Sequence, residues 1–294
     1  MKAHQRIIRE EKAKTSASEN LFGAWWDSIN KDIANGVVRE IDRATCEQII
    51  LEYEWLRCMP AVVWYMYGIF FDGNCGGVVC YGPEYSENLG KISRESGRRG
   101  ADWSKYGFEG KMILLSRGAC VHWAHPHSGS KLIRQSMNLL PKKYEIITST
   151  TDEAAGEIGT IYQACGFYYV GAMRESNPAI KFKRQDRDAF LIGDKLVSER
   201  SMRQMIGTQK FSEVLRRFPT AKLIKQHSKH RYFAFRGTKK AKKSHLSAIK
   251  HLIKPYPKRD ALEVSRADTP CNTSMEGVGQ FHDNAPLLSP EVIH

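Results

Sequence analysis

The pattern of apolar and polar positions changes period several times along the chain, and each change marks an element. Residues 62–71 form a nearly unbroken β-branched and aromatic run. Asp72-Gly73-Asn74 interrupts it and residues 76–81 resume it, which predicts a β-hairpin. Upstream, residues 20–53 read as helix with breaks. Thr45 is placed to N-cap a helix over 46–56 whose apolar face is Ile49, Ile50, Tyr53 and Trp55. From residue 111 the pattern alternates: strand 111–121, loop 122–129, helix 130–140 closed by Pro141, strand 144–151, helix 157–165, strand 167–173. Strands alternating with helices of this length predict a mixed or parallel sheet covered by helices. Further on come a hairpin around Gly193-Asp194, helices over 199–205 and 211–218, a strand over 231–235 and a helix over 241–253. The Gly/Ser/Glu/Arg-rich stretch 85–106 reads as a long loop. Residues 1–20 read as a polar, frayed end and residues beyond 259 as disordered.

Composition narrows the class. The 294 residues are 41% apolar and 26% charged, enough apolar material for a real core, and that argues against collagen, coiled coil and global disorder. The longest apolar stretches, such as 61–71, fall short of the ~20 residues of a membrane span. The charged first 20 residues lack the apolar region of a secretory signal. Seven scattered cysteines with no CxxC fit a reducing cytosol rather than a disulfide framework or a zinc ribbon, so a cytoplasmic location is expected. Charge is distributed unevenly. Residues 181–259 hold 23 Lys and Arg against 5 Asp and Glu, a local balance of +18 within a chain whose formal net charge is +13. Such an excess at one end fits a polyanion, most often nucleic acid, or else a solvated basic surface.

The most specific stretch is Glu157-Ile158-Gly159-Thr160-Ile161-Tyr162-Gln163-Ala164-Cys165-Gly166-Phe167-Tyr168-Tyr169-Val170-Gly171. Gly166 sits where a helix ends in a left-handed residue. An aromatic strand follows at once, which leaves Tyr162 about one turn before the cap. A phenol keeps its proton at neutral pH and can donate it as charge develops; alternatively Tyr162 only packs helix on sheet. The stretch resembles the closing Y-x-x-x-G-F motif of the GNAT N-acyltransferases. In that family the tyrosine serves as general acid towards the thiolate of an acyl-CoA donor, and a preceding strand–loop–helix holds pyrophosphate at the helix N-terminus. The corresponding loop here is His122-Trp123-Ala124-His125-Pro126-His127-Ser128-Gly129-Ser130-Lys131, in which Gly129 and the small residues beside it match the family pattern.

Arg117 on the preceding strand, the small-residue loop into Ser130-Lys131-Leu132-Ile133, Ser149–Asp152 and Gly156–Gly171 together resemble the Mom-type proteins of bacteriophages. Lys229-His230-Arg231-Tyr232-Phe233-Ala234-Phe235 and Pro255-Tyr256-Pro257-Lys258-Arg259 also look like the ends of such chains. That resemblance implies a GNAT-like α/β fold, a mixed sheet flanked by helices with a basic C-terminal α/β extension. It also implies transfer of a carbamoylmethyl-like group to adenine in phage DNA, in the cytoplasm of the infected host. Domains are expected at 1–20 (flexible), 21–183 (GNAT-like catalytic domain), 184–259 (basic extension, for nucleic-acid binding and completion of the fold) and 260–294 (disordered tail). The implied catalytic residues are Tyr162, Asp152 and Glu157. Asp152 lies beyond a strand's carboxyl end, where ligands gather, or else serves as a turn or N-cap residue. Glu157 would deprotonate the attacking amine, or else only favour a helix N-terminus. Arg117, His127, Ser128, Gly129, Ser130 and Lys131 would hold the donor. The family also implies iron through a His-Tyr pair and an Asp, but residues 54–59 contain no such pair and the ligands are not identified.

His122, His125 and His127 share one loop, either as ligands of a metal or, more simply, as residues touching phosphate or substrate. Arg200, Arg203, Arg216, Arg217, Lys239, Lys240, Lys242 and Lys243 would neutralise DNA phosphates. Four lysines at a helix N-terminus oppose the helix dipole, so their side chains are expected to reach outward to an anion. A conventional acetyltransferase of protein or small amines, and a non-catalytic nucleic-acid-binding protein on the same scaffold, are the rival readings.

Overall fold

The computed structural model describes residues 3–19, 25–84, 103, 106–152, 155–172, 187–193, 195–226 and 229–258. Met1–Pro257 forms one compact unit, and Lys258–His294 is a second of which only Lys258 is described. The predicted loop over 85–105 (Trp103 excepted) and the predicted tail over 260–294 lie outside the described residues.

A seven-stranded mixed sheet organises the first unit. Its strands are β1 (Val37–Glu40), β2 (Tyr65–Phe71), β3 (Asn74–Gly82), β4 (Met112–Cys120), β5 (Ile146–Thr151), β6 (Tyr168–Ala172) and β10 (His230–Phe235), in the order β1-β2-β3-β4-β5-β10-β6. Only β4 and β5 are parallel; all other pairs are antiparallel. This is the α/β class, a mixed sheet flanked by helices, that the sequence predicts. The basic extension supplies β10 between β5 and the edge strand β6, so residues 21–183 do not complete the sheet without it. The extension also forms a three-stranded sheet, β8 (Lys195–Ser198), β7 (Arg187–Ile192) and β9 (Lys222–Gln226), with helices α5 (Glu199–Ile206) and α6 (Phe211–Arg217). Phe190, Val197, Met202 and Val214 make its own small core.

Helices cover both faces of the large sheet. Helix α2 (Arg43–Tyr53) meets β3 where Cys46 Sγ lies 3.2 Å from Cys80 Sγ, and α3 (Ser128–Leu139) meets the next residue where Ser136 Oγ lies 2.7 Å from the Tyr81 hydroxyl. Successive strand residues point to opposite faces, so α2 and α3 lie on opposite sides. Ile113, Leu115, Ile147 and Tyr232 belong to the core with α3 and the short α4 (Thr160–Ala164). Met112, Ile146, Val170 and Phe233 pack on the other side with Trp103, Phe108 and Ile249 of α7 (Lys239–Ile249). Among the described residues no helix is long and apolar enough to cross a membrane.

Three differences from the sequence reading have physical causes. Residues 4–19, predicted as frayed, form helix α1 (His4–Glu19), which buries Ile8 but is otherwise held by polar contacts. Gln5 Nε2 donates to Gly118 O (2.8 Å), Arg9 Nη2 to Ala124 O (3.0 Å), and Lys12 pairs with Glu52 (2.8 Å). Helix α2 starts at Arg43 rather than Cys46, because Asp42, not Thr45, caps it: Asp42 Oδ1 accepts from Thr45 N at 2.8 Å. The predicted helix over 157–165 begins only at Thr160. Gly156 and Gly159 adopt positive φ (66° and 72°), and that left-handed backbone cannot continue a right-handed helix. Gly166, at φ 79°, ends the helix as the sequence predicts.

Gly159 is the tightest of these positions, since a Cβ built there would come within 2.4 Å of Tyr232 Cζ. Gly159→Ala should destabilise the protein by about 2–4 kcal/mol, combining a left-handed non-glycine residue with an overpacked core. A urea midpoint shift measures this; an unchanged midpoint would mean the turn relaxes freely.

Candidate active site

The cleft begins with one extra residue in β4. Cys80 pairs with Arg117 while Tyr81 pairs with Leu115, so Ser116 is bulged. A bulge bends a strand and increases its twist. The parallel pairing of β4 with β5 runs from Met112–Ile146 to Leu115–Ser149 and stops there. Beyond that point β4 stays paired with β3 through Cys120, and β5 stays paired with β10 through Thr151. The two strands diverge at their carboxyl ends, the place where open α/β sheets take ligands.

Side chains from both faces of the sheet meet at this fork. Tyr162, on α4, is partnered by Ser149, the last residue of the parallel pairing, whose own hydroxyl donates to Leu115 O at 3.1 Å. The ring packs on Phe167 and Tyr232 at 5.2 and 5.4 Å. Burial pushes the phenol's pKa well above its ordinary value, with the Ser149 hydrogen bond acting in the opposite direction, so the proton stays on oxygen. Asp152 follows β5 and is buried. Its carbonyl helps shape the next turn by accepting from Ala155 N (3.0 Å) and Glu157 N (3.2 Å). Its Oδ2 faces Lys229 Nζ at 3.5 Å. Glu157 is half-buried in the segment leading to α4. Burial first, then the nearby charges of Glu54 and Asp152, push its pKa up to about 7 against the pull of Lys229 and Arg117.

The fork therefore brings together four sequence-predicted residues, Arg117, Asp152, Glu157 and Tyr162, and two, Glu54 and Lys229, that the sequence reading did not assign to the site. Glu54, buried at the carboxyl end of α2, lies with Oε2 3.8 Å from Arg117 Nε and accepts from Leu56 N at 2.8 Å. Burial raises its pKa while Arg117 lowers it. Lys229 sits one step before His230, which pairs with Thr151, and so is carried opposite Asp152 by the antiparallel register. Arg117 spends its donors locally, Nη1 on Ser116 O (3.0 Å) and Nε towards Cys58 O (3.4 Å), which ties the segment after α2 to β4.

The donor-binding residues of the sequence reading lie at the start of α3. Ser128 is fully buried and its Oγ has no hydrogen-bond partner within the protein. A Cβ on Gly129, in the first turn of α3, would meet the Ile161 Cδ1 methyl of α4 at 2.8 Å, so a larger residue there would make that side chain shift. His127 is the N-cap, and its amide donates to His125 Nδ1 at 3.1 Å. Ser130 Oγ turns back to His127 O at 3.0 Å. Lys131 Nζ donates to the carbonyls of Ile33 and Ala34, the latter at 3.1 Å, so its charge serves the fold. An orphaned buried hydroxyl at a helix N-terminus fits an anionic group such as a donor phosphate. His122 is separate from the other two histidines: its Nδ1 meets the Tyr53 hydroxyl at 2.7 Å and its ring packs on Trp26 at 4.9 Å, while His125 and His127 lie 5.3 Å apart. Among the described residues no group of three or more His, Cys, Asp or Glu is placed to hold a metal ion.

The basic candidates are dispersed. Arg203 bonds to Gln209 and Arg216 to Glu213, while Arg217 is exposed at the end of α6. The side chain of Arg200 lies outside the described residues. Lys239, Lys240, Lys242 and Lys243 are exposed on the first turns of α7, which follows β10 at the end of the sheet opposite the fork.

The fork, its carboxylates and its phenol define an α/β protein with a candidate acid–base cleft between two splayed parallel strands. The chain belongs to the Mom protein family, whose model matches residues 35–258. Two solved structures are similar in part. One is the Drosophila melanogaster polyamine N-acetyltransferase that forms N-acetylagmatine (8% identity, TM-score 0.35, 68% of this chain and 100% of that one). The other is a serine-to-alanine mutant of an agmatine N-acetyltransferase in its apo form (10% identity, TM-score 0.34, 69% and 100%). No curated protein matches the chain.

Replacing Glu54 by Gln removes the nearest negative charge that raises the Glu157 pKa. Carbon-detected NMR titration of Glu157 should then move downward from about 7 towards its ordinary range, by about one unit or less. An unmoved titration would separate Glu54 from the site's electrostatics.

Proposed function

We propose that the protein is a DNA-modifying transferase that attaches a small acyl-derived, carbamoylmethyl-like group to the N6 amino group of adenine, as the Mom family membership suggests. One observation carries the reading: a carboxyl poised near neutrality, Glu157, and a phenol that keeps its proton, Tyr162, flank the same opening between β4 and β5. Paired groups with separated pKa values divide naturally into base and acid.

Adenine N6 is a weak nucleophile because its lone pair is delocalised into the ring, so loss of its proton must accompany attack. Glu157, ionised above about pH 7, is suited to take that proton. Asp152, held by Lys229, would orient the amine, and Tyr162 would hand its proton to the departing atom. For an acyl group, a bound acyl thioester would supply the carbonyl carbon: the N6–C bond forms as the C–S bond breaks, the thiolate takes the Tyr162 proton and the product is an N6-amide. A carbamoylmethyl group is joined through its methylene, so its donor would carry the leaving group on that carbon, and N6 would displace it there. Ser128 and the α3 N-terminus would hold the donor's phosphates. The strongly basic extension supports DNA rather than a small amine as the acceptor. A base in duplex DNA must leave the stack to enter the fork, at a cost of a few kcal/mol.

Mass spectrometry of nucleosides from cells expressing the chain should show a new adenosine mass. Tyr162→Phe and Glu157→Gln should each reduce it by about 10²–10⁴-fold, the usual contribution of a general acid or base. The rate with wild-type protein should rise with pH through about 7, since protonated Glu157 cannot accept a proton, and the Gln variant should lose that limb. Unchanged DNA alongside acetylated protein would favour the conventional acetyltransferase instead.

A further inference from the structure

We infer that the protein grips duplex DNA at a second place, the end of the sheet opposite the fork, through lysines that converge from two separate segments. This rests on DNA being the substrate and goes beyond it by assigning a flank-binding surface. The segment 141–145, between α3 and β5, carries exposed Lys142 and Lys143. The segment entering α7 carries exposed Lys239, Lys240, Lys242 and Lys243. The two segments adjoin, because Phe235 pairs with Ile146, Arg236 N donates to Glu145 O (2.8 Å), and Arg236 Nη1 donates to Leu140 O (2.8 Å) and Pro141 O (3.0 Å).

Within these two segments the charge is nearly one-signed. Between Arg236 and Lys250 there are six Lys and Arg and no Asp or Glu. The one acid in 141–145, Glu145, is occupied by His245 Nε2 at 2.8 Å. Lysines at the start of α7 face the positive end of the helix dipole, an arrangement that costs stability unless an anion balances it. Beside them Trp64, 45% exposed, stacks on Tyr144 at 6.1 Å, and Lys143 Nζ lies 4.9 Å from the Tyr144 ring, so an aromatic edge borders the cationic surface.

Strand β5 connects the two places. Ile146 lies at the lysine end and Thr151 at the fork, six residues or about 17 Å of extended chain. At 3.4 Å per base pair that is about five base pairs of B-form duplex. The lysines therefore suit phosphates about half a helical turn from the target adenine. Point charges on flexible stems read no sequence, so the contact supplies affinity and register rather than base recognition.

The test is salt-dependent binding of the full chain to a labelled duplex of about 30 base pairs, followed by fluorescence anisotropy. Each phosphate contact contributes about −0.9 to the slope of log K against log salt. Lys142→Glu with Lys143→Glu, and separately Lys239→Glu with Lys240→Glu, should each make the slope shallower by roughly one to two and weaken binding at least about tenfold at low salt. The Lys→Gln versions of both pairs, which avoid new repulsion, should shift it in the same direction by less. Circular dichroism confirms folding. An unchanged slope in the folded variants, or no duplex binding by wild type, overturns the inference. The two readings fail separately. Patch-dependent binding without a new adenosine mass overturns the transfer reading and leaves the patch. Modified DNA with unchanged slopes overturns the patch and leaves the transfer.

Discussion

Everything at the candidate site depends on one extra residue in β4. With Ser116 bulged, β4 turns away from β5 at the level of Leu115 and Ser149, while each strand keeps an antiparallel partner on its outer side. The opening thus forms without leaving either strand unpaired along its whole length. It lets side chains from opposite faces act on one another. Arg117 and Glu54 come from the α2 side, and Tyr162 from the α4 side, yet Arg117 influences the phenol and Glu54 the Glu157 carboxyl. A flat, fully paired sheet would hold those groups apart and screen them with its own backbone.

The electrostatics follow from that opening. Three carboxylates, Glu54, Asp152 and Glu157, share the fork with two cations, Arg117 and Lys229, and the cations are already engaged: Arg117 with two carbonyls beside Glu54, Lys229 with Asp152. Burial is the main cause of the raised Glu157 pKa, and the neighbouring charges of Glu54 and Asp152 add to it. Its folded pKa lies above its ordinary value of 4.5, so folding favours the protonated form. That contribution to stability is complete below about pH 4.5 and is lost as pH rises through about 7. The protein is therefore less stable in the state with Glu157 ready to accept a proton, a common relation between a tuned group and its fold.

Local signals were legible in the sequence and long-range pairings were not. Gly166 followed by an aromatic strand announced both the end of α4 and the position of Tyr162, because a left-handed cap and a β-rich run are properties of adjacent residues. Arg117 and Asp152 were proposed through the resemblance to Mom-type proteins, Asp152 also from its place beyond a predicted strand, and Glu157 as a carboxylate at a predicted helix start; the fold brings all three to the fork. Lys229 was missed because only the register of β10 on β5 carries it opposite Asp152, and Glu54 because its partner is 63 positions away on a strand. Helix α1 escaped for a different reason. It docks through Gln5 and Arg9 on backbone carbonyls and buries little besides Ile8, so it lacks the apolar stripe by which helices are recognised. Strand β1, four residues with one face largely exposed, is too short for an alternation to register.

The same register decides what the basic residues can do. In sequence, Lys239–Lys243 and Lys229 belong to one cationic tract; in the fold they stand at opposite ends of β10. On the proposed function, chemistry and anchoring would be separated by the length of one strand, and such a separation would have a physical use. Extruding a base costs a few kcal/mol that contacts at the fork alone would have to offset, at the expense of the interactions needed in the transition state. Phosphate contacts some 17 Å away can supply that binding energy from a part of the substrate that does not react. A fork crowded with lysines would instead pull down the pKa of Glu157 and remove its ability to hold a proton near neutrality. If the lysines bind phosphate as proposed, placing them at the far end would combine a hold on a polyanion with a carboxyl that keeps its raised pKa.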